Sequence, residues 1–164
     1  MYRITATCQF NTQIYYLDQP KIDEVKTPAL WCSDPLPDWT LSEDKCSLNS
    51  EKCSIALSED GTTYTIKSTT NLKAVVNLTF KRTASGFVVG NDGTTLYGHD
   101  ATAPWGSMRH SFWPTCEVKG SIMTQGGEIK MDGRGVYIHA LQGMKPHHCG
   151  KSACQQILFH SSNQ

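Results

Sequence analysis

Along most of the chain, apolar and polar residues alternate with a period of two. From position 2 to position 16 the even residues read Tyr, Ile, Ala, Cys, Phe, Thr, Ile, Tyr and the odd ones Arg, Thr, Thr, Gln, Asn, Gln, Tyr. Successive side chains of a strand face opposite sides, so this pattern predicts a half-buried antiparallel strand. Cys53, Ile55 and Leu57 alternate up to Glu59-Asp60-Gly61, a hairpin signal, and Tyr64 and Ile66 continue on the return limb. Val76, Leu78 and Phe80 alternate with Asn77, Thr79 and Lys81. Ser85-Gly86 and Asn91-Asp92-Gly93 then cut the chain around short strands at 87–89 and 94–97. Cys116, Val118 and Ile122 share one parity, Gln125-Gly126-Gly127 turns the chain, and strands at 129–132 and 136–140 complete the series. There is almost no helical periodicity and no internal repeat.

Short strands separated by turns at near-regular spacing predict an all-β sandwich or barrel. Pro20, Pro28, Pro35 and Pro37 mark residues 20–28 and 33–39 as loops, and a third loop at 99–107 leads into the block PWGSMRHSFWP at 104–114. Small up-and-down barrels use such mouths and their interiors to hold one apolar ligand.

The chain has 164 residues, enough for one buried core. Fifteen basic and fifteen acidic side chains cancel, which argues against a nucleic-acid partner, whose binding depends on neutralising many phosphates. The opening MYRITATCQF has no signal-peptide core, and no apolar run approaches the roughly twenty residues of a membrane helix. On this reading the chain is soluble and cytosolic. Seven irregularly spaced cysteines do not form the even framework of a small secreted scaffold. Cys8, Cys53 and Cys116 fall in alternating apolar patterns, where a thiol acts as a small buried hydrophobe. Asn77-Leu78-Thr79 is a formal glycosylation sequon, relevant only to a secreted chain.

Candidate chemistry concentrates in residues 104–114 and in GRGVYIHALQGMKPHH at 133–148. Aromatic rings dominate whichever cluster they join, since each buries roughly 150–250 Å². Trp105, Phe112 and Trp113 therefore form core or line a pocket. A strand-borne His110 or His139 facing an apolar pocket would hydrogen-bond a ligand hydroxyl or amide, and Arg109 would carry further donors; the alternative for each is a structural hydrogen bond. The ligand-binding set is Trp105, Arg109, His110, Phe112, Trp113 and His139, converging on one pocket. His147, His148, Cys149 and Cys154 match none of the usual zinc spacings, so no metal and no cofactor is expected. There is also no Ser-His-acid order and no phosphate-binding glycine loop.

The two blocks, together with LWCSDPL at 30–36, LSEDGTTYTIKSTTN at 57–71 and DGTTLYG at 92–98, resemble the fungal survival factor 1 family over residues 4–148. The resemblance implies two lipocalin-like β-barrels in tandem, no catalytic activity, and a soluble carrier that transfers ceramide between endoplasmic reticulum and Golgi and supports survival under oxidative stress. On that basis the chain is a lipocalin-like antiparallel β-barrel, one incomplete half of a tandem protein. Its barrel domain covers 1–148, and a divergent tail covers 149–164. The family's amphipathic helix, which docks on membranes, is absent from it. Localisation would be cytoplasmic, with peripheral association to both membranes in the full-length family. The alternative is a tandem-lipocalin hydratase or cyclase acting on a polyene or lipid-like substrate, with His110, His139 or Asp100 as proton donor. Fold analogy alone does not make an enzyme, and the non-enzymatic reading is preferred.

Overall fold

Every regular element among the described residues is a β-strand. The computed structural model describes residues 8–14, 29–144 and 158–160. They hold β1 (Asn11–Ile14), β2 (Ala29–Cys32), β3 (Thr40–Leu41), β4 (Leu48–Asn49), β5 (Cys53–Leu57), β6 (Thr63–Ser68), β7 (Ala74–Arg82), β8 (Phe87–Tyr97), β9 (Gly106–Thr124), β10 (Gly127–Met144) and β11 (Leu158–His160). The expected all-β, antiparallel class is observed. β1 and β2 form a two-stranded sheet, and the others form a sheet in the order β11-β10-β9-β7-β6-β5-β4-β3, with β8 also paired to β9. The long strands β7, β9 and β10 each contribute to two compact units: residues 1–79 with 120–131, and residues 80–119 with 132–164.

In the first unit, alternation places Tyr64, Ile66 and Ser68 of β6, Ala74, Val76 and Leu78 of β7, Cys53 of β5 and Ile122 of β9 in the core. Buried Ser68 is satisfied by the Thr70 hydroxyl at 2.8 Å. The predicted hairpin is present, with Cys53 opposite Ser68 and Leu57 opposite Tyr64. Gly120 of β9 has φ +131°, and a Cβ on it would overlap the carbonyl oxygen of Asn77 in β7 and lie 3.0 Å from the Leu78 Cα. Only glycine lets these two backbones approach so closely.

Two hairpin turns of this unit are built from the same tetrapeptide, a repetition too short for the sequence reading to register. Leu41-Ser42-Glu43-Asp44 ends β3, and Leu57-Ser58-Glu59-Asp60 ends β5. In the first turn the Ser42 hydroxyl donates to Asp44 Oδ1, which also accepts the Cys46 N–H at 2.9 Å, while Ser47 N–H donates to Ser42 Oγ at 2.9 Å. In the second, Ser58 donates to Asp60 at 2.6 Å, Asp60 accepts the Thr62 N–H at 3.0 Å, and Thr63 N–H donates to Ser58 Oγ at 3.0 Å. The fourth turn residue is left-handed in both, Lys45 at φ 58° and Gly61 at φ 65°. Leu57 N–H donates to Ser47 Oγ at 3.0 Å, joining one turn to the other. The serine hydroxyl is the main cause holding each carboxylate, Asp44 and Asp60, below its usual range.

In the second unit, β8 and β9 form a ribbon whose register runs from Tyr97 opposite Gly106 to Phe87 opposite Phe112. The register shifts between Val89 and Thr94, where Gly90, Asp92 and Gly93 all have positive φ. The sequence reading makes 87–89 and 94–97 separate strands; the bulge absorbs the turn signal and leaves one strand. Beyond Phe112 the same edge of β9 passes to residues after β7, with Thr83 N–H donating to the Thr115 carbonyl at 3.0 Å. Pro114 sits at this handover, where the missing N–H of proline costs no ladder bond. Phe80, Cys116, Val118 and Tyr137 are buried here. β10 is continuous through Gly133 and Gly135, so the strands expected at 129–132 and 136–140 are one.

β1 occupies part of the strand expected over 2–16, and Cys8 makes an isolated bridge to Leu36. Positions 2–7, 15–16 and the loop at 20–28 lie outside the described residues. Within the proposed tail, β11 pairs with β10, Phe159 opposite Gly135.

Two consequences are measurable. Gly120→Ala should lower unfolding free energy by about 2 kcal/mol or more, because it combines a backbone overlap with an unfavourable φ; urea denaturation reads this directly. Asp44 and Asp60 have depressed folded pKa values, so their contribution is full above the unfolded value of about 3.9 and is lost as pH falls through the lower folded value. Unfolding curves at stepped pH should show stability declining below about pH 4, with a shallower decline in the double variant Asp44→Asn, Asp60→Asn.

Candidate functional site

The β8–β9 ribbon positions most of the residues singled out by the sequence, and strand alternation decides which of them meet. Phe112 and Trp113 are consecutive in β9 and must face opposite sides. Their contacts agree: Phe112 stacks on Phe87 with ring centroids 4.9 Å apart, whereas Trp113 packs on Tyr137 at 5.5 Å. The six expected ligand residues therefore divide between two faces instead of lining one pocket together.

The first face carries His110 and Phe112 of β9, paired across the ribbon with Val89 and Phe87 of β8. The His110 ring lies 5.6 Å from that of Phe112. Further along, Tyr97 stacks on Trp105 at 5.4 Å, and its hydroxyl reaches the Met108 sulfur at 3.5 Å. Trp105 thus joins this face from the loop before β9. Phe87 and Val89 remain 53% and 42% exposed.

The opposite face carries Arg109, Ser111 and Trp113 of β9 with Val88 and Leu96 of β8. It continues into the buried core: Trp113 packs on Tyr137, whose ring is 6.4 Å from that of Phe80, and the Arg82 guanidinium lies 5.3 Å from the Trp113 ring centroid. His139 follows Tyr137 by two positions in β10 and so shares its side. At the outer end Arg109 is exposed, and Val88 and Leu96 are half-exposed. Gly86 keeps the approach to Trp113 open, since a Cβ there would lie 2.9 Å from the indole Cδ1. This face joins an apolar floor to a hydroxyl, a guanidinium and an imidazole, the groups needed to hold a chain with a small polar head.

The sequence reading singled out neither Val88 nor Leu96, and it gave Tyr137 no role. The available signal was Phe87-Val88-Val89, an unbroken apolar triplet between Gly86 and Gly90 where alternation would leave one side polar. Asp100, the alternative proton donor, is an exposed turn residue whose carboxylate is held low chiefly by the Thr102 hydroxyl. Among the described residues no three His, Cys, Asp or Glu side chains gather as a metal ion requires. His147, His148, Cys149 and Cys154 lie outside the described residues.

Comparison with known proteins places the chain in context. The model of the Svf1 family matches residues 1–164. A relative from Neurospora crassa named ceramide-binding protein svf-1 is 52% identical over 145 residues, 88% of this chain and 36% of its own length. One of the same name from Aspergillus fumigatus is 50% identical, covering 88% of this chain and 35% of its own length, and one from Schizosaccharomyces pombe is 36% identical, covering 95% and 39%. The chain thus spans little more than a third of these relatives. No solved structure matches it.

The thiols test whether any described cysteine is built for reactivity. Burial pushes Cys53 up to about 11 and raises Cys116, while Cys32 is exposed. At pH 8 a thiol near 11 holds roughly a hundredth of the thiolate of an ordinary cysteine. In a time course with iodoacetamide read by peptide mass spectrometry, Cys32 should label early, and Cys53 and Cys116 only on unfolding. Early labelling of Cys53 would contradict its structural assignment.

Proposed function

The chain belongs to the Svf1 family, and we propose that it binds ceramide as part of a lipid carrier. The observation that carries this reading is the identity of up to 52%, over 88% of the chain, to relatives named for ceramide binding. The whole protein's activity is proposed with it: transfer of ceramide between endoplasmic reticulum and Golgi, in the cytoplasm and at the surfaces of both membranes, in support of survival under oxidative stress. Binding, not catalysis, is the proposed activity. From β3 to β7 and on through β9 and β10, sheet neighbours follow chain order apart from β8. That is the order of an up-and-down barrel and supports the proposed lipocalin-like architecture.

The ligand is assigned to the face containing Trp113 and Arg109. Trp113, backed from the core by the already buried Tyr137 and Phe80, gives an acyl chain apolar contact at roughly 25 cal/mol per Å² removed from water. Val88 and Leu96 offer exposed apolar area beside it. Ser111, Arg109 and His139 supply the polar partners for the amide and hydroxyls of ceramide, whose burial without hydrogen bonds would be unfavourable.

Competitive binding on the full chain, with ceramide against a matched alkane-chain probe, tests the assignment. His139→Ala should reduce the preference for ceramide about three- to tenfold, as for loss of one hydrogen bond, and Trp113→Ala should weaken both ligands together. His110→Ala, on the other face, should leave the preference unchanged. If His139→Ala only lowers the melting temperature, His139 is structural and the face assignment fails.

A further inference from the structure

We propose that the other face of the β8–β9 ribbon, carrying Phe87, Val89 and Phe112 at one end and Tyr97, Trp105 and Met108 at the other, contacts a lipid bilayer. This rests on the ceramide reading for its purpose, because a ligand that resides in membranes must be taken from and returned to one. The surface itself is argued from the ribbon.

Phe87 and Val89 are exposed although both are strongly apolar, and their cross-strand neighbours Phe112 and His110 are only half-buried. Such contiguous apolar exposure marks an interaction surface, where scattered single side chains would not. Its chemistry suits the bilayer interface: Tyr97 and Trp105 combine an apolar ring with a polar tip and stack on each other. None of the paired positions of this face, 87, 89, 95, 97, 106, 108, 110 and 112, is Asp or Glu. A carboxylate there would have to be desolvated or would repel anionic headgroups. A protein partner would have to match this surface in shape, whereas a bilayer requires no complementary surface. The ligand face lies on the reverse of the same two strands, so the segment serves both faces, with Val88 on the ligand side and Phe87 and Val89 on this one.

The test uses the full chain and ceramide-free phosphatidylcholine vesicles, so that vesicle binding is independent of ligand binding. The wild-type protein should float with the vesicles, and vesicles carrying brominated acyl chains should quench its tryptophan fluorescence. The quenching should be lost in Trp105→Phe. Phe87→Ser with Val89→Ser should reduce the vesicle-bound fraction about tenfold, because most of the exposed apolar area is removed, while ceramide binding in solution stays within about twofold. Val88→Ser with Leu96→Ser, on the reverse face, should do the opposite. Wild-type protein that stays at the bottom of the gradient, or equal flotation of the Phe87, Val89 double variant, would overturn the proposal. Should the doubly substituted protein not fold, undiminished quenching in Trp105→Phe overturns it instead. Protein that floats but binds no ceramide would refute the carrier function and leave this surface standing.

Discussion

The rest of this structure depends on the continuity of β9. This strand of 19 residues neighbours β10 on one edge and pairs on the other with β8, until Pro114 marks the passage to the end of β7. Where β8 pairs with it, from Gly106 to Phe112, β9 cannot rotate, so its period of two fixes the side of each side chain through Trp113; past Pro114 the buried residues, Cys116 and Val118, have the other parity. That assignment brings Trp113 against Tyr137 and Phe112 against Phe87, and it gives the second unit two surfaces of different character in place of one aromatic cluster. Glycine and proline permit the continuity at the points where other residues would break it: Gly120 where β7 comes too close for a Cβ, and Pro114 where no amide donor is called for.

Much of the architecture was legible because the first unit obeys the simplest rule. Tyr64, Ile66 and Ser68, and then Ala74, Val76 and Leu78, alternate inward without interruption, and the hairpin between β5 and β6 falls where Glu59-Asp60-Gly61 announces it. Errors arose where backbone flexibility was read as chain reversal. Asn91-Asp92-Gly93 and Gly133 to Gly135 carry turn-forming composition, yet both lie inside long strands: residues 90–93 bulge out of register and pairing with β9 resumes at Thr94, while Arg134 and Gly135 stay paired, to β11.

The candidate site was legible in composition and not in geometry. The six residues named from the sequence do lie on or beside the ribbon and its neighbour β10. Density of aromatic and titratable side chains reveals that a segment is costly to expose, but gives no direction. Direction follows from parity, and parity was available: Arg109 and Trp113 are odd, His110 and Phe112 even. Where Trp105 and His139 would fall could not be read this way, since one lies before the strand and the other on β10, whose alignment with β9 no local pattern reveals. The twin Leu-Ser-Glu-Asp turns show the opposite case, in which four residues suffice to dictate a complete hydrogen-bonded loop.

The bulge in β8 bears on solubility. Phe87, Val88 and Val89 form an apolar run on a strand that, among the described residues, pairs only with β9, the kind of segment on which fibrils are templated. Extending such a template needs a straight run of backbone groups, and the run ends after three residues. Gly90, Asp92 and Gly93 turn the chain out of register, and the Asp92 carboxylate adds a charge that stacked copies would have to bring together. The kink thus works as a gatekeeper, letting the chain keep an exposed apolar edge while blocking growth of the sheet from copy to copy.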